Sequence, residues 1–204
     1  MQITHFDEPR RALHQQMAAA YRGFLAYLFV QNKHDHALHR SMNEARIKFL
    51  SSYFLTHAPA RGIFAHSARL SGKASPARRY VVADYYSTRA LQTLGKSPAQ
   101  WAGLRFEHVV PKDSLKREFE ERVQGGSGLP SIAEIASMLD QTWHIAVVTV
   151  DEDTLVRPRD AMPSDWDRCD LFARYREPLS RSMRFEMHRA NEEAERCREI
   201  LRAA

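Results

Sequence analysis

Leu104-Arg105-Phe106-Glu107-His108-Val109-Val110-Pro111 is a short apolar strand that carries an acid and a histidine and is closed by proline. Aromatic and β-branched residues suit a pleated, half-buried ladder, and proline, which has no N–H to donate, ends one. Ordinary residue frequencies place an acid-His-aliphatic-aliphatic-Pro string in on the order of one chain in a thousand of this length. Imidazole titrates near neutrality and suits proton removal from water, while a carboxylate suits a hard cation.

Downstream, Ser114 to Val123 reads as a charged helix that stops at Gly125-Gly126-Ser127-Gly128. Pro130-Ser131 followed by Glu134 forms a capping-box start for a helix bearing Ile132, Ile135, Met138 and Leu139. Trp143 to Val150 is the strongest strand pattern in the chain, and it runs straight into an acidic helix over Asp151 to Val156. A loop with Met162-Pro163 and Trp166 follows. From Pro178 to Arg202 the pattern predicts a long helix with Met183, Met187, Ala190, Ala194, Cys197 and Leu201 on one side. That stripe packs against its own domain or forms the seam of a homodimeric coiled coil.

Upstream, Asp7-Glu8-Pro9 opens a helix in which Leu13, Met17, Tyr21, Phe24 and Leu28 recur at helical spacing to about Val30. A second helix is expected from about Asp35 to Leu55, making an N-terminal helical hairpin. His34, His36 and His39 lie at its start, where a solvated helix end is favoured over a transition-metal pair. Pro59, Gly62, Gly72 and Pro76 punctuate the next segment, and Ala83 to Leu94 reads as a helix ending at Gly95. The expected divisions are 1–58, a helical hairpin; 59–176, the core; and 177–204, the C-terminal helix. The fold class is α+β, predominantly helical.

The chain has 204 residues, 44% of them hydrophobic and 27% charged, enough for a packed core. Its formal net charge is +5, concentrated between Ala60 and Arg105, where Arg61, Arg69, Lys73, Arg78, Arg79, Arg89, Lys96 and Arg105 face only Asp84. Phe64, Tyr80, Tyr85, Tyr86 and Trp101 alternate with these cations, a mixture suited to phosphates and stacked bases, or else to a solvated basic face over an aromatic core. Two cysteines, Cys169 and Cys197, supply neither a four-ligand zinc site nor a disulfide framework, and are expected as reduced thiols in a cytoplasmic protein. The apolar run Ala18 to Val30 is too short to span a bilayer and is interrupted by Arg22, so no membrane association is expected.

The Phe106-Glu107-His108-Val109-Val110-Pro111 opening resembles that of HNH-type, or ββα-metal, endonucleases. The resemblance extends through Val147-Val148-Thr149-Val150-Asp151-Glu152-Asp153 to Met162-Pro163, Trp166 and Tyr175, and is similar to a bacterial HNH-like group with helices inserted between the two strands. It implies a small ββα-metal-like core against which the helical hairpin packs, and hydrolysis of phosphodiester bonds in DNA. In that reading His108 is the general base and Glu107, Asp151 and Asp153 are ligands of a divalent metal, magnesium or manganese. Lys73, Arg78, Arg79, Arg105 and Lys112 would contact nucleic acid. The motif departs from the family's in lacking its Asn and second His: downstream stand only His144, His188 and Asn191. A catalytically degenerate nucleic-acid-binding or protein-interaction module is therefore the alternative, and a helical regulator is a third reading. Strand geometry adds an objection, since successive residues point to opposite faces and Glu107 and His108 cannot both line one cleft without a bulge.

Overall fold

The computed structural model describes residues 8–64, 78–156, 161–175 and 186–204. In chain order the elements are α1 (Glu8–Leu25), continued by a π-helical turn (Ala26–Gln31), α2 (His36–Ser41), α3 (Asn43–His57), a 3-10 turn (Gly62–Phe64), α4 (Arg78–Val81), β1 (Tyr85–Ser87), α5 (Thr88–Gly95), a 3-10 segment (Pro98–Gly103), β2 (Leu104–His108), α6 (Lys112–Gln124), α7 (Ile132–Thr142), β3 (Ile145–Thr149), α8 (Val150–Leu155), a 3-10 turn (Ala173–Tyr175), β4 (Met187–Arg189) and α9 (Ala194–Arg202). The class is α+β, mainly helical, with a small mixed sheet. The chain forms two compact units, residues 1–58 with 111–143 and residues 59–110 with 144–204. The inserted helices thus group with the N-terminal helices, and the C-terminal helix groups with the sheet, unlike the contiguous division read from sequence.

In the first unit α1 presents Leu13, Met17, Tyr21 and Leu25, all buried, to α3 and α7. Tyr21 sits among the rings of Phe24, Phe49 and Phe119. Arg10 is buried with its guanidinium 4.3 Å from the centroid of Phe54, and His14 Nδ1 lies 2.6 Å from Asp140 Oδ1. The helix expected over Asp35 to Leu55 is broken at Met42, although Asp35 caps its first part by accepting the Leu38 N–H at 2.8 Å. The capping box of α7 is formed as read: Ser131 Oγ accepts the Glu134 N–H at 3.2 Å and Glu134 accepts the Ser131 N–H at 2.8 Å. The Ser131 backbone and then Arg122 hold the Glu134 carboxyl down to about 2. This depressed value means the cap's contribution is present above the usual carboxylate range and lost as pH falls through about 2.

The second unit holds the sheet, ordered β2-β3-β1-β4. β2 is antiparallel to β3, with Leu104 opposite Thr149 and His108 opposite Ile145; β1 is parallel to β3 and antiparallel to β4. Tyr85, Val109, Ala146, Val148, Val156 and Tyr175 form an apolar cluster on one face, flanked by Leu171, Phe172 and Met187. β1 occupies the start of the segment expected to be helical, and Ser87 then caps α5 by accepting the Ala90 N–H at 3.0 Å. α5 packs on α9 so closely at Gly95 that a Cβ there would overlap the Leu201 carbonyl oxygen.

The long C-terminal helix is also corrected. Met187 and Ala190 lie on and just after β4, and among the described residues from 186 onward the helix begins at Ala194; residues 178–185, Met183 among them, lie outside the described residues. The proposed dimer seam therefore has no continuous helix to carry it. Cys197 is buried on α9, and burial followed by the charge of Glu193 pushes its thiol up to about 11, whereas Cys169 is exposed. Thiolate is the nucleophile. At pH 8 a thiol reagent should modify Cys169 promptly and Cys197 only on unfolding, which mass spectrometry of the alkylated chain with and without denaturant will check.

Asp84 is the buried polar centre of this unit. Its backbone N–H donates to Ile145 O at 2.8 Å and its carbonyl accepts from Ala190 N at 2.9 Å, while Oδ2 accepts the Ile145 N–H at 3.0 Å and Oδ1 pairs with Arg61 Nη2. Arg61 also donates through Nε to Ala83 O at 3.0 Å, and both side chains are nearly inaccessible. Removing one member leaves the other charged and unsolvated. Asp84→Ala should cost about 3–5 kcal/mol in urea denaturation, and a loss under about 1 kcal/mol would show that the pair is dispensable.

Candidate functional site

His108 closes β2, and the alternation of the strand sends Glu107 to the opposite face. The His108 ring meets Phe106 edge to face, 5.6 Å between centroids, on the side of their ladder partners Ile145 and Val147. Glu107 lies on the side of Ala146 and of the Tyr85–Tyr175 cluster. There its Oε1 accepts from Arg174 Nη2 at 3.0 Å, and Arg174 Nη1 donates to the His108 carbonyl at 3.2 Å. The guanidinium is buried and the carboxylate is about one-fifth exposed. Arg174 therefore fixes the backbone at the strand end and neutralises the acid beside it. No bulge brings Glu107 and His108 to one side.

His144 precedes β3 and is buried with its ring 5.9 Å from that of Tyr85. Its carbonyl accepts the Val109 N–H at 2.9 Å, so the backbones of the two histidine regions meet while the His108 ring stays edge to face with Phe106. His188, the other downstream histidine, ties β4 to α5: its Nδ1 lies 2.9 Å from Glu193 Oε2 and its Nε2 2.8 Å from Thr88 Oγ1. A carboxylate only accepts, so Nδ1 carries a proton.

The expected metal ligands on α8 separate. Asp151 is exposed, with Oδ2 3.7 Å from Arg89 Nη2. Asp153 is half-buried on the side where its charge, with that of Glu107 and Glu152, reaches Tyr175. Burial first, and these carboxylates next, raise the Tyr175 phenol far above its ordinary range, so it stays protonated. Glu152, which sequence reading passed over, is the buried acid: Oε2 accepts from Ser87 Oγ at 2.6 Å and from the Thr149 N–H at 2.8 Å, completing a capping box that starts α8. In the ladder Glu107 stands opposite Ala146, three residues before Thr149, so roughly 10 Å of strand separates it from the start of α8. Among the described residues no group of three His, Cys, Asp or Glu side chains could hold a metal ion. Of the expected ligands, Glu107 is paired with a guanidinium and Asp151 stands beside another.

The basic residues show a different convergence. Arg79 is exposed, with its guanidinium 4.7 Å from the Tyr80 ring centroid and Nη2 donating to Tyr80 Oη at 2.7 Å. Tyr80 Oη donates to Leu104 O at 3.3 Å, and exposed Arg105 reaches the same carbonyl through Nη1 at 3.4 Å. Both arginines therefore gather at the start of β2. Beside them Gly103 and Thr149 contribute to a cleft of about 480 Å³ that is also lined by Arg89, Gln92, Thr93, Lys96, Gln100, Val150 and Asp151. This cleft lies at the carboxyl ends of the adjacent parallel strands β1 and β3, the edge where open α/β sheets hold ligands.

Other assignments change. Arg61 is consumed by Asp84 and serves the fold; Arg78 is half-buried with partners of its own; Lys73 lies outside the described residues; Lys112 opens α6 in the other unit. Arg174 had no sequence signal, since a single arginine in a loop has no periodic context.

No protein-family model, curated protein or solved structure matches this chain. Arg174→Met should destabilise the protein by about 3 kcal/mol by leaving Glu107 uncompensated, with a substantial part recovered when Glu107→Gln is added. Urea denaturation of the two single variants and the double variant measures that coupling.

Proposed function

We propose that this chain is a cytoplasmic nucleic-acid-binding protein that binds DNA, built on a ββα-like arrangement in which the catalytic metal half has been replaced by structural ion pairing. The observation that carries the reading is the gathering of four exposed cations, Arg79, Arg105, Arg89 and Lys96, around the β2 start and its neighbouring cleft. Clustered Lys and Arg side chains neutralise phosphates and release their counterions. Gln92 and Gln100 add amides able to pair with base edges or sugar hydroxyls.

The ββα part of the proposal is supported by element order: β2 pairs antiparallel with β3, and α8 follows β3 without a break. The catalytically degenerate alternative is favoured over a metal-dependent endonuclease by Arg174. A guanidinium against Glu107 already supplies the positive charge that a cation would bring, and it would repel a second one.

Fluorescence anisotropy with a labelled duplex tests the binding. Four phosphate contacts predict a slope of about −3.6 in log affinity against log salt, and Arg79→Ala with Arg105→Ala should flatten it by about 1.8. Unchanged affinity and slope in that variant would remove this surface from the proposal. A parallel plasmid assay with magnesium or manganese should show no nicking. Nicking that disappears in His108→Ala would instead restore the endonuclease reading with His108 as base.

A further inference from the structure

The first unit contains a second pocket, unrelated to the cations of the sheet, where α1 gives way to its π-helical turn. The Asn32 N–H bonds to Tyr27 O at 3.2 Å, an i to i+5 closure, so the helix widens by one residue. Such turns leave carbonyls open and recur at functional sites. Here His39 fills the gap: its Nε2 lies 2.8 Å from Leu28 O and 3.1 Å from Asn32 O. Carbonyls only accept, so Nε2 carries a proton and the ring is held in one orientation, edge to face with Phe29.

The widened turn and His39 make one wall of a cavity of about 540 Å³, within the range of small-molecule sites. Phe29, Val30, Val123 and Leu129 supply its apolar surface, and Lys33 and His36 stand at its exposed rim. Val30 is 58% exposed, a large apolar side chain left toward this space. The opposite wall is the end of α6, where Gly126 and Gly128 adopt φ of +82° and +80° and bring bare backbone to the cavity without side chains. Among the described residues no carboxylate lines it.

We propose that this pocket binds a small organic anion with an apolar body, a carboxylate, sulfonate or phosphate monoester whose charged head meets Lys33 and His36 and whose body lies between Phe29, Val123 and Leu129. An acidic lining residue would oppose such a ligand, and a wholly apolar lining would not select for its charge. Both halves of the recognition are present on one concave surface.

Isothermal titration calorimetry of the full chain with 2-naphthalenesulfonate tests this, with 2-naphthalenemethanol as the uncharged counterpart. Saturable binding of one sulfonate per chain is expected, at least about tenfold tighter than the alcohol, as one charge-assisted contact provides. Lys33→Ala with His36→Ala, both exposed, should remove that tenfold preference. Leu129→Trp should block both ligands, and its circular dichroism should match the parent chain. Absence of saturable binding, equal affinity for the two ligands, or sulfonate binding unchanged in the Lys33/His36 variant would each overturn the proposal.

Discussion

The buried carboxylate of Asp84 and its partner Arg61 set the frame on which the sheet depends. β1 has only three residues, too few for its own ladder to fix its place between β3 and β4. Asp84, immediately before it, extends that ladder with one backbone bond to β3, one to Ala190 just after β4, and a side-chain bond to β3. Burying such a carboxylate is costly unless a cation and donors surround it, and Arg61 with the Ile145 N–H meets that demand. An offset of β1 by one residue would separate these groups in a dry interior. The pair thus discriminates between registers even where a hydrophobic pair of equal volume would give comparable stability.

That placement governs the chemistry of the sheet edge. Because β1 runs parallel to β3, the helices that follow them, α5 and α8, both start at the same edge, and their first turns line the polar cleft. Ser87 links the two by donating to Glu152 across the strand ends. At the other end of β2 the same alternation that exposes Arg105 puts Glu107 beneath Tyr175 and within reach of Arg174, while His108 turns to Phe106. The acid and histidine that stand together in the sequence serve two surfaces.

Elements with dense local information were legible. Ser131 and Glu134 encode a cap in four residues, the strand Ile145–Thr149 is a largely apolar run, and β2 falls inside the stretch read before Pro111, although it ends at His108. β1 and β4 were not, because three residues cannot display a period and both depend on partners distant in sequence. The Met187–Ala190–Ala194–Cys197 spacing fits a helix face, yet Met187 is held in β4 by pairing with Ser87, a contact with no local signature. The π-helical turn is hidden for a similar reason, since its extra residue is accommodated by His39 from the next helix. Of the site, the basic segment was visible as composition, but which cations are free to act depended on Asp84 capturing Arg61 and on Tyr80 bringing Arg79 to Leu104.

The β2–β3 pair also has a kinetic side. His108 and Ile145 face each other across a connection of 36 residues, a span filled by α6 and α7 instead of a tight turn. Closing a flexible loop of that length costs roughly 2–3 kcal/mol more than closing a two-residue hairpin, and the parallel β1–β3 contact adds a second distant closure. The helices between the strands can form from neighbouring residues on a microsecond scale. Long connections of this kind make strand pairing slow to close compared with the formation of local helices.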